Sequence, residues 1–350
     1  MSLSFPLQPA DGSSPVPGRL VDAFGRVHTD LRVSVTDRCN IRCRYCMPLD
    51  VAFKPREELL RFEEISRVVA VAASLGVRSV RLTGGEPLVR RDLEQLVERL
   101  VRIEGVEEVA LTTNGLLLEQ QAARLAAAGL TRISVSLDSL REEAFREIAR
   151  SDGLPQVLAG LAEAKRVGVR GIRLNAVSIK GLSEADIVPL ARFARREGFH
   201  LRFIEFMPLD AEQQWTQPQV LSGRAVRAVL EEALGPLEPV RGGDPGQPAV
   251  DYRYTDAEPD APGSLVGFID PVTQPFCQRC DRLRLTADGQ LRNCLFSTEE
   301  WDVRQALRTD CDDAAIASLM IECVAAKRAA HGIGTPDFER PQRSMYEIGG

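Results

Sequence analysis

Long apolar runs and an excess of positive charge are both missing from this 350-residue sequence. The longest apolar stretch, around 68–77, is interrupted and falls short of the roughly 20 residues that a membrane span needs. Lys and Arg total 44 against 50 Asp and Glu, so a general attraction to nucleic acid or anionic membranes is not expected. The first 20 residues lack the basic start and apolar core of a signal peptide. We therefore expect a cytoplasmic protein, with 1–25 as a disordered arm rich in Pro, Ser and Gly.

Histidine is scarce as well, with three in the chain, and none of them lies near a cysteine group in the sequence. The eight cysteines are not expected to form disulfides, because cytosolic thiols are kept reduced. Six of them fall into two groups, Cys39, Cys43 and Cys46, and Cys277, Cys280 and Cys294. Cys323 shares a helical stripe with Ile316 and Met320 and is predicted to be a core residue. Clustered cysteines in a reducing compartment indicate metal binding.

From residue 31 to about 207 a short β-rich run is followed repeatedly by a helical pattern. This alternation is typical of parallel strands joined by crossover helices. Strands are predicted at 31–36, 78–83, 107–112, 132–137, 171–177 and 201–206, with helices such as 62–74 and 91–103. We predict an α/β fold, a partial (β/α)6 TIM-type barrel over 26–217. In such a barrel the reacting groups lie at the carboxyl ends of the strands.

A second module is expected after the Pro- and Gly-rich stretch 235–263. Its centre reads as a β-hairpin, with 282–286 and 290–294 joined by a turn at 287–289. If Thr286 faces Gln290, Cys294 returns beside Arg282 and close to Cys280. We predict a C-terminal iron–sulfur cluster domain over 218–340 and a flexible tail over 341–350.

The spacing Cys39-x3-Cys43-x2-Cys46 provides three thiolates in a loop just after a strand. Three thiolates can hold three irons of a four-iron, four-sulfur cube and leave the fourth iron open. A structural zinc site is the alternative, but it requires four protein ligands. With aromatic Tyr45 before the last cysteine, the motif resembles that of the radical S-adenosylmethionine (SAM) superfamily. The resemblance implies a [4Fe-4S] cluster whose open iron binds SAM.

The second group, Cys277-x2-Cys280-x13-Cys294, again provides three ligands, which the hairpin brings together. A second [4Fe-4S] cluster with an open iron is expected there. Arg282 and Arg284 alternate with two leucines, so both guanidiniums face one side of the strand. Two such cations beside an open iron form an anion-binding surface.

Several motifs together resemble the GTP 3′,8-cyclase family of molybdenum cofactor biosynthesis, from residue 31 to 350. They are the segments 31–40, 83–88, 112–115, 135–138 and 276–286, and the terminal Ile-Gly-Gly. The resemblance implies a lyase that converts GTP to 3′,8-cyclo-7,8-dihydro-GTP. In that reaction a 5′-deoxyadenosyl radical removes the ribose 3′ hydrogen and the carbon radical attacks C8 of guanine. One electron, from the second cluster, and a proton complete the product.

The resemblance also implies the roles of individual residues. Contacts to SAM are expected from Tyr45, Gly85, Ser136 and Met207. Contacts to GTP are expected from Arg32, Arg81, Thr112, Arg173, Arg282, Leu283 and Arg284. Catalytic roles are expected for Arg282, Arg284, Gly349 and Gly350. Position 173 usually holds Lys in the family, so Arg173 keeps the charge but changes its geometry.

A second enzyme class remains open, a peptide-modifying radical SAM protein with an auxiliary cluster. The arginines favour the cyclase, because a triphosphate needs their charge and a peptide backbone does not. A simple electron carrier would need four protein ligands for each cluster. The family resemblance further implies a homodimer, a reductase as electron donor, and cyclic pyranopterin monophosphate synthase as the downstream enzyme.

Overall fold

The structure is a computed structural model that describes residues 18–242, 246–259, 261–309 and 311–349. Its strands are β1 (Asp30–Ser34), β2 (Ser79–Thr83), β3 (Glu108–Thr113), β4 (Arg132–Ser136), β5 (Ile172–Ser178), β6 (His200–Glu205), β7 (Leu237–Pro239), β8 (Val250–Tyr254), β9 (Leu265–Ile269), β10 (Arg282–Leu285), β11 (Gln290–Arg292) and β12 (Trp301–Asp302). Its helices are α1 (Phe62–Ser74), α2 (Leu93–Val101), α3 (Leu118–Ala127), α4 (Glu142–Ala149), α5 (Leu154–Arg166), α6 (Ile187–Glu197), α7 (Gly223–Leu234), α8 (Val303–Arg308), α9 (Asp313–Ala325) and α10 (Met345–Ile348). In these ranges no helix is long and apolar enough to cross a membrane.

Strands β1 to β6 lie side by side in chain order, and all are parallel. Their apolar residues are buried, as are Ile65, Val68 and Ala72 on the inward stripe of α1. The spacing of that stripe is the period of an amphipathic helix. The six predicted βα units of the α/β barrel are confirmed, and α1 has the predicted bounds. All six strands end at the same edge of the sheet, where the loops that carry the polar motifs meet.

The C-terminal residues extend the same sheet on both sides. Strand β9 pairs in parallel with β6, and β10 pairs in parallel with β1. Two more parallel strands thus flank the predicted six, followed by antiparallel β8 and β7 on one side and β11 and β12 on the other. The sequence did not indicate this, because β7 and β8 separate α7 from β9, and no α-helix lies between β9 and β10. A domain boundary at 217/218 stays a prediction.

The predicted hairpin is confirmed, with its register. The backbone N–H of Thr286 donates to the carbonyl oxygen of Gln290 at 2.9 Å, and Arg284 lies opposite Arg292. Continuing the same register places Cys294 opposite Arg282. The tight turn therefore brings the third cysteine of the second group back to the other two.

The predicted disordered arm needs a correction at its end. Residues 1–17 lie outside the described residues, but 18–25 are part of the fold. Leu20 is buried and donates its backbone N–H to the carbonyl oxygen of Leu75 at 3.1 Å. The buried carboxylate of Asp22 accepts hydrogen bonds from Arg26 and from the backbone of Phe24. Leu20, Asp22 and Arg26 therefore find partners in the fold.

Candidate active site

A central cavity of about 490 Å³ opens where the parallel strands end. Both cysteine groups line it, together with most of the residues predicted to bind ligands. The lining includes Arg32, Cys39, Cys43, Tyr45, Cys46, Arg81, Gly85, Thr112, Ser136, Arg173, Met207, Cys277, Cys280, Arg282, Arg284 and Cys294. Residues that are far apart in the sequence are thus brought to one site.

The first trio (Cys39, Cys43 and Cys46) lies in the loop that follows β1. The side-chain amide of Asn114 lies 3.8 Å from the sulfur of Cys39, which also accepts a backbone N–H from Ile41. Burial raises the pKa of the Cys39 thiol to about 11, and it raises the pKa of Cys43 and Cys46 as well. Such thiols ionise when a metal binds them. N–H donors aimed at the sulfurs are what an iron–sulfur cluster uses.

The Gly-Gly-Glu-Pro loop after β2 packs directly on the first cysteine loop. A Cβ atom on Gly85 would lie 2.5 Å from the carbonyl oxygen of Arg38 and 2.7 Å from that of Asp37. Both atoms belong to the backbone and cannot move aside. Gly85 was expected to contact SAM, and the structure gives a separate reason for a glycine at this position, which is that the two loops touch. Glu86 joins them to the third loop by accepting hydrogen bonds from the hydroxyl of Thr113 and the backbone of Asn114.

Tyr45 is held by a residue whose role the sequence did not reveal. Its hydroxyl donates to Asp138 at 2.8 Å, and the backbone N–H of Val177 donates to the other carboxylate oxygen of Asp138 at 2.8 Å. Burial raises the pKa of Asp138 to about 6. Asp138 thereby fixes the aromatic ring between the first trio and the end of β5. Ser136, on β4, faces the same cavity.

The second trio (Cys277, Cys280 and Cys294) lies between the central cavity and a smaller cavity of about 50 Å³, and its members line both. The sulfur of Cys277 accepts a backbone N–H from His331, and that of Cys280 accepts one from Arg282. Burial raises the pKa of Cys280, but the nearby cations Arg282 and Lys327 outweigh this effect and lower it to about 7. Cys280 is therefore prepared to be anionic, whereas burial raises the pKa of Cys277.

The residues of both trios are compatible with the three thiolate ligands of an iron–sulfur cube that has one open iron. In the part of the chain that the structure describes, no three His, Cys, Asp or Glu side chains are arranged to hold one ion. A structural zinc site needs four ligands at bonding distance from one centre. A four-iron cube instead takes one thiolate on each iron, so its ligands stand further apart. Buried thiols with N–H donors to their sulfurs match this second arrangement.

A row of three guanidiniums crosses the cavity on neighbouring strands. Arg32 on β1 is in register with Arg284 on β10 and with Arg81 on β2. Burial, together with the neighbouring cations, lowers the pKa of Arg284 to about 10 and that of Arg32 well below its usual value. Among the described residues the Nε atoms of Arg32 and Arg81 and the Nε and Nη2 atoms of Arg282 are buried and have no hydrogen-bond partner. Nε of Arg32 lies 3.8 Å from the carboxylate of Asp30, but the buried donors of Arg81 and Arg282 that lack hydrogen-bond partners favour an anionic ligand.

Further cations line the cavity at β4, β5 and β6. Arg173 was predicted, and burial with the charge of Arg202 lowers its pKa to about 9. Arg132 and Arg202 were missed, although both line the cavity. Counting back in steps of two from Ser136 along β4 would have reached Arg132, because alternate residues of a strand share a face. Arg202 bonds Gln247 at 2.9 Å, which ties β6 to the loop before β8.

The structure corrects the prediction for Leu283. Its side chain is fully buried in the core and is not part of the cavity lining. The alternation that turns Arg282 and Arg284 towards the cavity turns Leu283 away from it. A contact between this side chain and GTP is therefore ruled out by the geometry.

The C-terminal tail also differs from the predicted flexible segment. Helix α10 packs on the fold through Ile348, which is 1% exposed. The carbonyl oxygen of Gly349 accepts a hydrogen bond from the guanidinium of Arg284, and the Tyr346 backbone donates to the sulfur of Cys46. The tail thus reaches both the first trio and the guanidinium row. Gly350 lies outside the described residues.

Comparison with known families assigns both halves of the chain. Residues 33–194 match the model of the radical SAM superfamily, and 199–333 match the model described as Molybdenum Cofactor Synthesis C. Among solved structures, that of Streptococcus suis SuiB bound to S-adenosylmethionine is similar. The match covers 91% of this chain and 77% of the SuiB chain, with a TM-score of 0.60 and 16% sequence identity. This likeness shows a shared fold.

Curated relatives are much closer in sequence. A protein of Rhodopirellula baltica named GTP 3′,8-cyclase is 49% identical over 336 residues, which cover 95% of this chain and 93% of the relative. One of Mycobacterium tuberculosis named GTP 3′,8-cyclase 2 is 47% identical over 340 residues, which cover 96% of this chain and 93% of the relative. The chain belongs to the GTP 3′,8-cyclase family of radical SAM enzymes.

Proposed function

We propose that this protein converts GTP to (8S)-3′,8-cyclo-7,8-dihydroguanosine 5′-triphosphate in molybdenum cofactor biosynthesis. The observation that carries the proposal is the row of Arg284, Arg32 and Arg81 in one cavity with both cysteine trios. A triphosphate carries a charge of about −4, and buried guanidiniums are the groups that recognise it. The family relatives named GTP 3′,8-cyclase support the same substrate.

We assign the first trio to a [4Fe-4S] cluster with SAM on its open iron. When bound, the reduced cluster and SAM supply the 5′-deoxyadenosyl radical that removes the ribose 3′ hydrogen. Around it, Asp138 orients Tyr45, and the loop of Gly85 shapes one wall. Ser136 and Met207 complete the side of the cavity assigned to SAM.

We assign the second trio to a second [4Fe-4S] cluster, on the opposite side of the substrate. Arg282 lies on β10, the strand that follows Cys280. The hairpin of β10 and β11 therefore joins the ligands of the second cluster to the two substrate cations Arg282 and Arg284. Thr112 and Arg173 line the cavity from β3 and β5 and face the nucleotide in this assignment. The guanidinium of Arg284 donates a hydrogen bond to the backbone of the tail residue Gly349. In this assignment both residues lie beside the atoms of GTP that react.

Two partners follow from this reaction. A reductase must supply electrons, and an enzyme such as cyclic pyranopterin monophosphate synthase must take up the product. We also propose a homodimer. The exposed Phe24 and Val27, close to the second trio through Arg26, are candidates for contact with one of these proteins.

Replacing Arg282 with alanine should weaken GTP binding about 10- to 150-fold, since a charge-assisted contact contributes about 1.5–3 kcal/mol. The effect is expected because two nitrogen atoms of Arg282 are buried without a hydrogen-bond partner among the described residues, although its guanidinium stacks over the ring of Phe276. Equilibrium binding of GTP to the reconstituted protein measures it. Arg146→Ala, at an exposed position outside the cavity, is the matched control and should bind GTP as the wild type does. Equal affinity in Arg282→Ala and the wild type would contradict the assignment.

A peptide-modifying activity is the second candidate, because a structure of SuiB bound to a precursor peptide shares the fold with a TM-score of 0.54. That likeness, at 15% identity, concerns the fold alone. The buried cations of the central cavity favour a compact polyanion over a peptide.

A further inference from the structure

Lys327 is a buried cation beside the second trio. It follows α9 and is 4% exposed. Its ammonium group donates to the sulfur of Cys280 at 3.5 Å and to the carbonyl oxygen of Arg282 at 2.9 Å. Within the described ranges it forms no ion pair with a carboxylate. Because a buried cation is costly without an anion, the thiolates of the second trio are left to neutralise it.

The segment that carries Lys327 is fastened to the second trio at other points. Arg26, which pairs with Asp22 at 2.5 Å, donates to the carbonyl oxygen of Cys277 at 2.6 Å and to that of Ala329 at 3.1 Å. The backbone N–H of His331 donates to the sulfur of Cys277. The positive charge of Lys327 is therefore held at a fixed place and cannot turn to solvent.

We propose that Lys327 is a positioning residue that serves as the buried counter-ion of the second trio and raises the reduction potential of the cluster held there. The inference rests on the proposed function, because it requires a cluster on Cys277, Cys280 and Cys294. The ammonium group of Lys327 also has a structural role. By holding the carbonyl oxygen of Arg282, it fixes the start of β10, on which the substrate cations lie.

The direction of the effect follows from charge. Adding one electron to a cluster makes it more negative, and a cation nearby stabilises the reduced form. Net charge and hydrogen bonds to the sulfurs are two of the factors that set such potentials. Removing the ammonium group should therefore shift the one-electron equilibrium towards the oxidised cluster.

The test is a redox titration of full-length, reconstituted protein, followed by electron paramagnetic resonance. The signal that GTP perturbs is assigned to the second trio, and the one that SAM perturbs to the first. Lys327→Met should lower the equilibrium constant for reduction of the second cluster about tenfold or more. For one electron, each tenfold change lowers the reduction potential by about 59 mV. Lys327→Arg should restore most of the wild-type potential. The first cluster is the internal reference and should not shift.

Arg328→Met is the matched control, since it removes the same charge from the next residue, whose side chain is exposed. Its effect should be small because solvent screens it. An unchanged potential of the second cluster in Lys327→Met, with both clusters loaded, would overturn the inference. Loss of the second cluster in Lys327→Met but not in Lys327→Arg would support the inference. Loss of the cluster in both variants would overturn the inference and show that the role of Lys327 is purely steric.

Iron content separates this inference from the proposed function. Wild-type protein should bind about eight irons and Cys294→Ala about four, as expected for two cubes and one. If the wild type binds about four and Cys294→Ala loses none, the second cluster itself is absent and the proposed function is at fault.

Discussion

The variant Cys43→Ala is expected to form 5′-deoxyadenosine at least about 100-fold more slowly than the wild type. Removing a residue that only hydrogen-bonds a metal ligand already lowers metal affinity or activity about 10–100-fold, and Cys43 is itself a proposed ligand. Cys43 lies at the centre of the first trio, and its side chain is almost fully buried. Two thiolates in place of three leave a second iron without a protein ligand. The cluster is then lost or no longer binds SAM in a reactive position. The measurement is the yield of 5′-deoxyadenosine under dithionite, with and without GTP.

Cys323→Ala is the control for this experiment. Cys323 is as deeply buried as Cys43, but it lies on α9 outside the cavity and packs in the core. A similar small loss of stability is expected, with 5′-deoxyadenosine formation close to that of the wild type for the folded protein. Wild-type yield in Cys43→Ala would contradict the assignment of the first trio.

The variant Arg284→Ala is expected to lower formation of the cyclised nucleotide about 100- to 1,000-fold, which is the range for removing one preorganised donor from an active site. Arg284 is in register with Arg32 and bonds the backbone of Gly349. Its loss removes one cation of the row and releases the tail from the cavity. All three cysteines of the first trio remain, although the N–H of Tyr346 that bonds Cys46 moves away with the tail, so SAM should still be cleaved. Production of 5′-deoxyadenosine without a matching amount of cyclised product is therefore the expected signature.

Leu283→Ala separates this effect from simple destabilisation of β10. Its side chain faces the core, so truncation should lower the free energy of unfolding by about 2–5 kcal/mol. Turnover of GTP by the folded fraction should be little changed. Two results would show that the guanidinium has no particular role. One is wild-type turnover in Arg284→Ala, with cyclised product matching 5′-deoxyadenosine, and the other is an equal loss of cyclised product in Leu283→Ala.

The sequence was most informative where local pattern decides structure. The period of α1, the six βα units and the register of the hairpin at 287–289 all followed from spacing and turn chemistry. The cysteines were found in the same way, because ligand spacing is a local property. Their burial and the cavity that they share agree with that reading.

Long-range pairing was harder to predict. The parallel contacts of β9 with β6 and of β10 with β1 join segments that are far apart in the sequence and are not linked by one helix alone. Arg132 was missed for a different reason, since alternation from Ser136 along β4 already placed it on the cavity side, but neither it nor Arg202 belongs to the recognised sequence motifs. Leu283 was assigned by family resemblance, although alternation along β10 already placed it on the opposite face from Arg282. The packing of Leu20 and of Ile348 depends on partners that are distant in the sequence.

The most direct test of the central claim is an anaerobic reaction of the reconstituted protein with dithionite, SAM and GTP that carries deuterium at C3′. The radical formed at the first trio should take that deuterium, so the 5′-deoxyadenosine should become labelled in step with formation of the cyclised nucleotide. If 5′-deoxyadenosine forms slowly and without label, the protein cleaves SAM but GTP is not its substrate, and the cyclase assignment is contradicted.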